Sequence, residues 1–210
     1  MSAKQYKHKQ QRYHTNGVPL SEAEAYLHAA DPVMAQLVDT HGPCQIAERK
    51  TTHYQTLATS IIGQQLSAKA AGTIKQRVLA LAPNFTARSI LSLSSESLRN
   101  TGLSSSKIRY IMALSQQTCD GRLDFDSLSQ QTDEEVISTL TALPGIGRWT
   151  AEMFLIFSLK RPDVLALGDA GLQRAVRLLY GPTAELEKAG RKWRPHASTA
   201  SWYLWRHLDT

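Results

Sequence analysis

The sequence predicts an all-α protein of about ten short helices. Helix-start signals recur along the chain, whereas alternating apolar and polar stretches of strand length are almost absent. Apolar residues make up 42% of the 210 residues, which excludes a disordered chain and is enough for the core of one or two compact domains. No apolar run approaches the roughly 20 residues that a membrane-spanning helix needs.

Capping residues mark the first helices. Ser21 is a good N-cap and is followed by acidic residues that suit the first turn of a helix. Asp31 followed by Pro32 is the expected start of a second helix, since proline fits the first helical position. Apolar residues at helical spacing predict a third helix over 54–62, which ends at Gly63.

The same signals continue to the end of the chain. Ser67 predicts the start of a helix that ends near Leu81, before Pro83. Thr132 and Glu135 have the spacing of a capping box, in which each residue bonds the other's backbone amide. Further helices are predicted over residues 86–91, 94–99, 106–118, 132–140, 148–159, 170–179, 184–191 and 195–208.

Charge and cysteine content narrow the function classes. With 24 Lys and Arg against 18 Asp and Glu, the net charge of +6 permits an anionic partner without establishing one. Residues 1–19 are predicted to be a mobile basic arm that can lie on phosphates, or simply a solvated tail. Four basic residues and no acidic ones occur in this arm: Lys4, Lys7, Lys9 and Arg12. Cys44 and Cys119 are too few for a disulfide framework, an iron–sulfur cluster or a structural zinc site.

The turn between the predicted helices 132–140 and 148–159 has the sequence Leu143-Pro-Gly-Ile-Gly-Arg. Pro144 cannot continue the first helix, and Gly145 and Gly147 place no side chain over the backbone. The turn therefore exposes amide groups at the start of the second helix, where phosphate binds well. An ordinary tight corner between two helices is the alternative interpretation.

One carboxylate stands at the start of the predicted helix 170–179. Asp169 is a good N-cap, which by itself explains its presence. Its position also suits chemistry, because a helix N-terminus favours the ionised form and Gly168 leaves room for a ligand.

Together these features resemble the helix-hairpin-helix (HhH-GPD) superfamily of base-excision DNA glycosylases, and its alkylation-repair branch, DNA-3-methyladenine glycosylase II, most of all. In that family an essential aspartate follows the L-P-G-x-G hairpin by about twenty residues; here Gly147 and Asp169 are 22 residues apart. The resemblance covers about residues 20–208. Three more blocks are similar to the family: Ile61-Ile-Gly-Gln-Gln-Leu-Ser, Thr101-Gly-Leu-Ser-Ser-Ser-Lys and Lys192-Trp-Arg-Pro-His-Ala-Ser.

The resemblance implies a fold and an activity. The expected domain, residues 20–210, has two closely packed helical subdomains, a hairpin at about 132–159 and the active site in the cleft between the subdomains. It is the short form, without the N-terminal α/β domain of the longest members. The expected activity flips alkylated purines out of duplex DNA and hydrolyses the N-glycosidic bond, with Asp169 as the catalytic residue, leaving an abasic site.

The resemblance also implies roles for individual residues. The expected wedge that fills the gap left by the flipped base is Gln65, with Leu66 as second choice. The expected DNA-binding set is Gln65, Leu66, Ser67, Lys107, Pro144, Gly145, Ile146, Gly147 and Arg148. The expected base-pocket residues are Trp149, Met153 and His196. The backbone carbonyls of Thr141, Leu143 and Ile146 are expected to hold a monovalent cation, Na⁺ or K⁺.

Two departures from family patterns bear on the chemistry. Lyase relatives carry a nucleophilic lysine two residues after the last hairpin glycine, where this chain has Trp149, so no AP-lyase step is expected. Trp149 could instead stack on a cationic base or pack in the core. After Trp193, His196 and Ala197 stand where relatives often have an aromatic residue and arginine, and both positions bear on the shape of the pocket. Phe154, Phe157, Trp202 and Trp205 are assigned to the core.

Two other functions remain open at this stage. One is a non-catalytic helix-hairpin-helix protein that binds DNA or senses damage, and the other is a glycosylase for deaminated or oxidised bases. The partner expected in each case is double-stranded DNA. For the enzyme we expect no required cofactor, no membrane association and a monomer, located in the cytoplasm on the nucleoid if bacterial and in the nucleus if eukaryotic.

Overall fold

The computed structural model describes residues 13–209. Within that range it contains thirteen α-helices and one 3₁₀ helix, so the predicted all-α fold is confirmed. The chain divides into two compact units: unit 1 comprises Met1–Ala47 and Pro162–Thr210, and unit 2 comprises Glu48–Arg161. In the part of the chain that is described, no helix has both the length and the apolar character required to cross a membrane.

Unit 1 packs its helices around large apolar side chains. Trp193, Tyr203, Leu27 and Met34 are fully buried there. Its elements are α1 Glu22–Ala30, α2 Pro32–His41, α11 Ala170–Tyr180, α12 Leu186–Gly190, the 3₁₀ helix Arg191–Trp193 and α13 Ala197–Leu208.

Unit 2 contains the glycine-rich turn. The turn joins α9 (Asp133–Thr141) to α10 (Arg148–Phe157). The side chains of Leu140 and Leu155 on these helices are fully buried. The elements of this unit are α3 His53–Gly63, α4 Ala68–Leu81, α5 Ala87–Leu91, α6 Ser95–Asn100, α7 Ser105–Cys119, α8 Phe125–Gln130, α9 Asp133–Thr141 and α10 Arg148–Phe157.

The structure contains the hydrogen bonds of the predicted helix caps. They are made by Ser21, Asp31 and Ser67, and by Thr132 with Glu135 in a capping box. Helix α8 was missed, because its six residues bury only Leu128 and therefore show no helical period. The start of α13 was predicted two residues too early. Pro195 precedes the helix in a turn closed by the His196 N–H, which donates to Trp193 O at 2.7 Å.

Only part of the predicted arm lies within the described residues. Tyr13 and Pro19 form an isolated β-bridge, and His14 between them is 3% exposed, with Nε2 3.3 Å from the Glu24 carboxylate. His14 is therefore packed into unit 1, while the other six of residues 13–19 are exposed. The four basic residues of the arm fall within residues 1–12, which are not described.

Glu24 is the centre of a buried polar cluster in unit 1. Its carboxylate accepts hydrogen bonds from the backbone N–H of Cys44 and Ser21, both at 2.7 Å, and from Tyr203 OH at 2.8 Å. Burial alone would raise the pKa of Glu24, but these hydrogen bonds to its ionised form outweigh that effect and the pKa is lowered.

We expect Glu24→Gln to reduce the free energy of unfolding at about pH 7 by about 1–3 kcal/mol, because a neutral amide serves these donors less well. Since the folded-state pKa lies below the unfolded value of about 4.3, ionised Glu24 stabilises the fold above that value and this contribution disappears as pH falls through the folded-state pKa. Urea unfolding of both proteins at about pH 7 and about pH 3 measures the effect. A difference that stays constant between the two pH values would contradict this account.

Candidate active site and DNA-binding residues

Asp169 is buried at the amino end of α11 in unit 1, with 6% of its surface exposed. Its Oδ1 accepts a hydrogen bond from the Leu172 backbone N–H at 2.7 Å, which is the N-cap bond that the sequence predicts. The preceding loop is fixed as well, since Asp169 N–H donates to Ala166 O at 3.0 Å. The carboxylate is thus held in one position by the start of its own helix, where the helix dipole complements its charge.

Trp205 on α13 provides a second donor to the same carboxylate. Its indole Nε1–H lies 3.2 Å from Asp169 Oδ1. Gly171 leaves the space for this arrangement, because a Cβ at that position would meet Asp169 Oδ1 at 3.0 Å and Trp205 Cδ1 at 3.5 Å. The assignment of Trp205 to the core was therefore incomplete. Its helical spacing gave no signal of the contact, which joins residues 36 positions apart.

The hairpin turn in unit 2 has the glycine-dependent geometry that the sequence indicates. Gly145 has a φ of +82°, and a Cβ there would overlap the ring of Tyr110 on α7. Gly147 differs, since its φ is negative and a Cβ would meet nothing within 4 Å. Gly147 is the N-cap of α10, which is the single helix of unit 2 without a side-chain cap. Its amino end is consequently open to an external anion.

The loop after α3, which we call the wedge loop (residues 63–67), is exposed at its tip. Gln65 has the left-handed φ of +56°, and Leu66 is 39% exposed. Ser67 is exposed too, but its hydroxyl caps α4 through Ala70 N–H. The tip of the loop is thus accessible from outside, and its backbone at Gln65 is held in an uncommon conformation.

Comparison with known proteins agrees with these features. The family model described as HhH-GPD superfamily base excision DNA repair protein matches residues 58–195. The chain belongs to the HhH-GPD superfamily.

Individual relatives indicate which branch of the superfamily this chain is similar to. DNA-3-methyladenine glycosylase 1 of Schizosaccharomyces pombe is 32% identical over 199 residues, which cover 89% of this chain and 87% of that protein. The crystal structure of DNA-3-methyladenine glycosidase from Bacillus halodurans is 38% identical, with a TM-score of 0.76 and coverage of 90% of both chains. The structure of S. pombe 3-methyladenine DNA glycosylase in complex with abasic DNA has 30% identity and a TM-score of 0.78, covering 90% of this chain and 98% of that one.

These similarities confirm, at the level of the family, the predicted resemblance to the alkylation-repair branch, the glycosylase class and DNA as the partner. The structure joins Asp169 to Trp205 in unit 1, and it joins the wedge loop to the hairpin in unit 2, where Gln64 Nε2–H donates to Gly145 O at 2.7 Å.

Three residues predicted to bind DNA have partners within the HhH-GPD domain itself. Ile146 is buried, and its N–H donates to Leu143 O at 3.2 Å. Arg148 is paired with Glu134 at 2.6 Å and with Glu152 at 3.2 Å, so a phosphate would have to compete with two carboxylates. Lys107 is half-buried and donates to two backbone carbonyls of unit 2. The i,i+4 spacing of Arg148 and Glu152 on α10 is visible in the sequence. The other partners come from other helices or from the turn geometry, which sequence spacing does not show.

Three residues were predicted for the base pocket. Trp149 in the first turn of α10 is 50% exposed, which argues against the core alternative and leaves ring surface for stacking. Met153 lies one turn further along and is buried. His196 belongs to unit 1, where its ring packs edge-on against Tyr26 with the ring centroids 5.1 Å apart.

Among the residues assigned to the core, Phe154 is buried. Phe157 is partly exposed, with Arg49 4.1 Å from its ring centroid, and Trp202 is partly exposed too.

The two hairpin glycines should respond differently to substitution by valine. Gly145→Val must displace Tyr110 and force a positive φ on a β-branched residue, so we expect a loss of about 2–4 kcal/mol in the free energy of unfolding. Gly147→Val should cost about 1 kcal/mol or less, because it has open space and a negative φ. It should still weaken binding to damaged and undamaged duplexes alike, since its side chain would stand in front of the α10 amides.

Thermal unfolding and fluorescence anisotropy with the two duplexes test both glycine variants. If Gly147→Val bound both duplexes like the unmodified protein, phosphate would not approach the amino end of α10.

Proposed function

We propose that this protein is a monofunctional DNA glycosylase that flips alkylated purines, of the 3-methyladenine and 7-methylguanine type, out of duplex DNA and hydrolyses their N-glycosidic bonds. The observation that carries the proposal is the carboxylate of Asp169. It is buried, held by two hydrogen bonds at the start of α11, and located 22 residues after the hairpin. Binding of phosphate alone does not require an acid at that position.

The chemistry needs only one carboxylate when the base is already activated. Alkylation at N3 or N7 places a positive charge on a purine, which then leaves with little general-acid assistance. As the C1′–N bond breaks, C1′ acquires positive oxocarbenium character, and a fixed anion stabilises that charge. Asp169 has this role in the proposal, and it also orients or deprotonates the water that attacks C1′. Trp205 and Leu172 keep the carboxylate from rotating away from its position.

The other predicted residues bind the DNA and the base. The open amino end of α10 receives a phosphate, the wedge loop inserts Gln65 or Leu66 where the flipped base was, and the half-exposed Trp149 stacks on the cationic base. Stacking on a positively charged ring favours alkylated over normal purines, because the attraction between a cation and an aromatic face is absent for a neutral base.

Members of this family generally need no cofactor. We propose in addition a Na⁺ or K⁺ ion at the carbonyls of Thr141, Leu143 and Ile146. The turn is compatible with such an ion, because Leu143 O accepts one hydrogen bond, from Ile146 N–H, and a carbonyl oxygen has a second lone pair. When bound, the ion would add positive charge next to a phosphate. We further propose a monomer that acts on the bacterial nucleoid or, in a eukaryote, in the nucleus.

Asp169→Asn tests the proposed chemistry. Asparagine keeps the N-cap acceptor for Leu172 N–H but removes the charge, so base release should fall at least about 1000-fold while the dissociation constant for damaged duplex stays within about threefold. The measurement is single-turnover release of free base from duplexes that carry 3-methyladenine, 7-methylguanine, ethenoadenine, uracil or 8-oxoguanine.

The matched control for Asp169→Asn is Asp124→Asn, which removes the charge from a capping aspartate on α8 and should excise like the unmodified protein. Release of every base at the original rate by Asp169→Asn would refute the catalytic assignment. Release of uracil or 8-oxoguanine alone by the unmodified protein would favour a glycosylase for deaminated or oxidised bases.

Strand cleavage and borohydride trapping test whether the protein lacks a lyase step. The indole of Trp149 cannot form the Schiff base that β-elimination requires, so a damaged strand should remain full length until alkali or heat is applied. Borohydride added during the reaction should trap no covalent protein–DNA adduct. A trapped adduct, or nicking without alkali, would show that a lysine reaches C1′.

A further inference from the structure

The carboxyl end of α3, immediately before the wedge loop, is closed by a lysine from another helix. Lys107 Nζ donates to Ile62 O at 2.8 Å and to Gln64 O at 2.6 Å. The carbonyl between them, Gly63 O, accepts from Leu66 N–H at 3.2 Å. Three consecutive carbonyls that the end of a helix leaves without intrahelical partners are thereby satisfied, and the ammonium opposes the negative end of the helix dipole.

The same turn of chain is tied to the hairpin. Gln64, whose carbonyl Lys107 binds, donates its side-chain Nε2–H to Gly145 O at 2.7 Å. Tyr110 lies one helical turn after Lys107 on α7, and its ring packs so closely on Gly145 that a Cβ there would overlap it. One face of α7 therefore contacts both the wedge loop and the hairpin, and we call Lys107, Tyr110 and Gln64 the α7 clasp.

Gln65 and Leu66, the residues expected to enter the DNA, are not part of the α7 clasp. Gln65 follows directly after the last carbonyl bound by Lys107 and has a φ of +56°, a conformation that a non-glycine residue keeps only when its surroundings enforce it. Leu66 comes next and is 39% exposed.

We propose that Lys107 and Gln64 are positioning residues for base flipping: through the α7 clasp they hold the wedge loop in its strained conformation and at a fixed place relative to the hairpin. The inference rests on the proposed function, in which the hairpin binds the phosphate backbone while the wedge occupies the vacated base position. A wedge fixed to the hairpin enters the helix without first having to be ordered, so less conformational entropy is lost when the base leaves the stack.

The surroundings of Lys107 favour this role over direct binding of phosphate. Two of its three N–H donors are already used by backbone carbonyls, and the side chain is half-buried. Burial lowers the pKa of Lys107, which is the expected effect on an ammonium withdrawn from water. An exposed lysine that binds DNA would show neither feature.

Hydrogen exchange in the DNA-free protein tests the positioning directly. Lys107→Met keeps most of the side-chain volume but cannot donate, and Gln64→Met removes the bond to Gly145 in the same way. We expect amide exchange across residues 63–67 to accelerate at least about fivefold in both variants, because the Leu66 N–H loses the turn that protects it. Lys69→Met is the matched control, since it removes the same charge from the following helix without a bond to the end of α3.

Kinetics on two duplexes then separate positioning from DNA binding. With saturating enzyme and 7-methylguanine opposite cytosine, single-turnover release should slow about tenfold in Lys107→Met, the effect expected when a hydrogen bond to a charged donor is lost. With 7-methylguanine opposite thymine the loss should stay below about threefold, because a mismatched base leaves the stack more easily. Lys107→Arg should restore much of the rate on the paired duplex, and Lys107→Met combined with Gln64→Met should be less than additive.

Each alternative to the positioning role of Lys107 predicts a different experimental result. A smaller salt dependence of binding with an unchanged saturating rate would make Lys107 a phosphate contact and overturn the proposal. Equal losses on both duplexes, or exchange at residues 63–67 that matches the Lys69→Met control, would overturn it too. If the unmodified protein released no base at all, the proposed function would fail, while the exchange measurement would still decide whether the α7 clasp orders the loop.

Discussion

The backbone groups at helix ends must find hydrogen-bond partners, and this requirement dominates a fold made of many short helices. Ten of the thirteen α-helices within residues 13–209 begin with a side chain that accepts a bond from the first turn. These caps let helices of five to fifteen residues start at fixed positions without long apolar runs.

Three of these helix ends carry features that the proposed function uses. Asp169 caps α11 as other residues cap their helices, but its carboxylate receives a second donor from Trp205, which holds it in one position. The amino end of α10 has no side-chain cap, so an anion from outside can take that place. The carboxyl end of α3 is closed by Lys107, which lies on a different helix and fixes the loop that follows. Folding and function therefore use the same unsatisfied groups.

The two hairpin glycines illustrate how one sequence motif contains two separate requirements. Gly145 is needed by the protein itself, since both its positive φ and the ring of Tyr110 exclude a side chain. Nothing inside the protein restricts Gly147, whose Cβ position is open. In the proposed function, close approach of a DNA backbone supplies a reason for a glycine at this position. The motif by itself does not distinguish these two cases.

The sequence by itself determined most of the helix starts, the helix that carries Asp169 and the family, because caps, turn glycines and their spacing are local properties of the chain. It missed α8 and placed the start of α13 two residues too early. Through the resemblance to that family it also pointed to Trp149 and Asp169 as candidate site residues. Only the tertiary structure decided which distant groups the site residues contact: the Trp205 indole on Asp169, the Glu134 carboxylate on Arg148 and the backbone carbonyls on Lys107. Several of these contacts join residues far apart in the chain, so no local periodicity encodes them, and they arise when helix packing brings a donor to an unsatisfied acceptor.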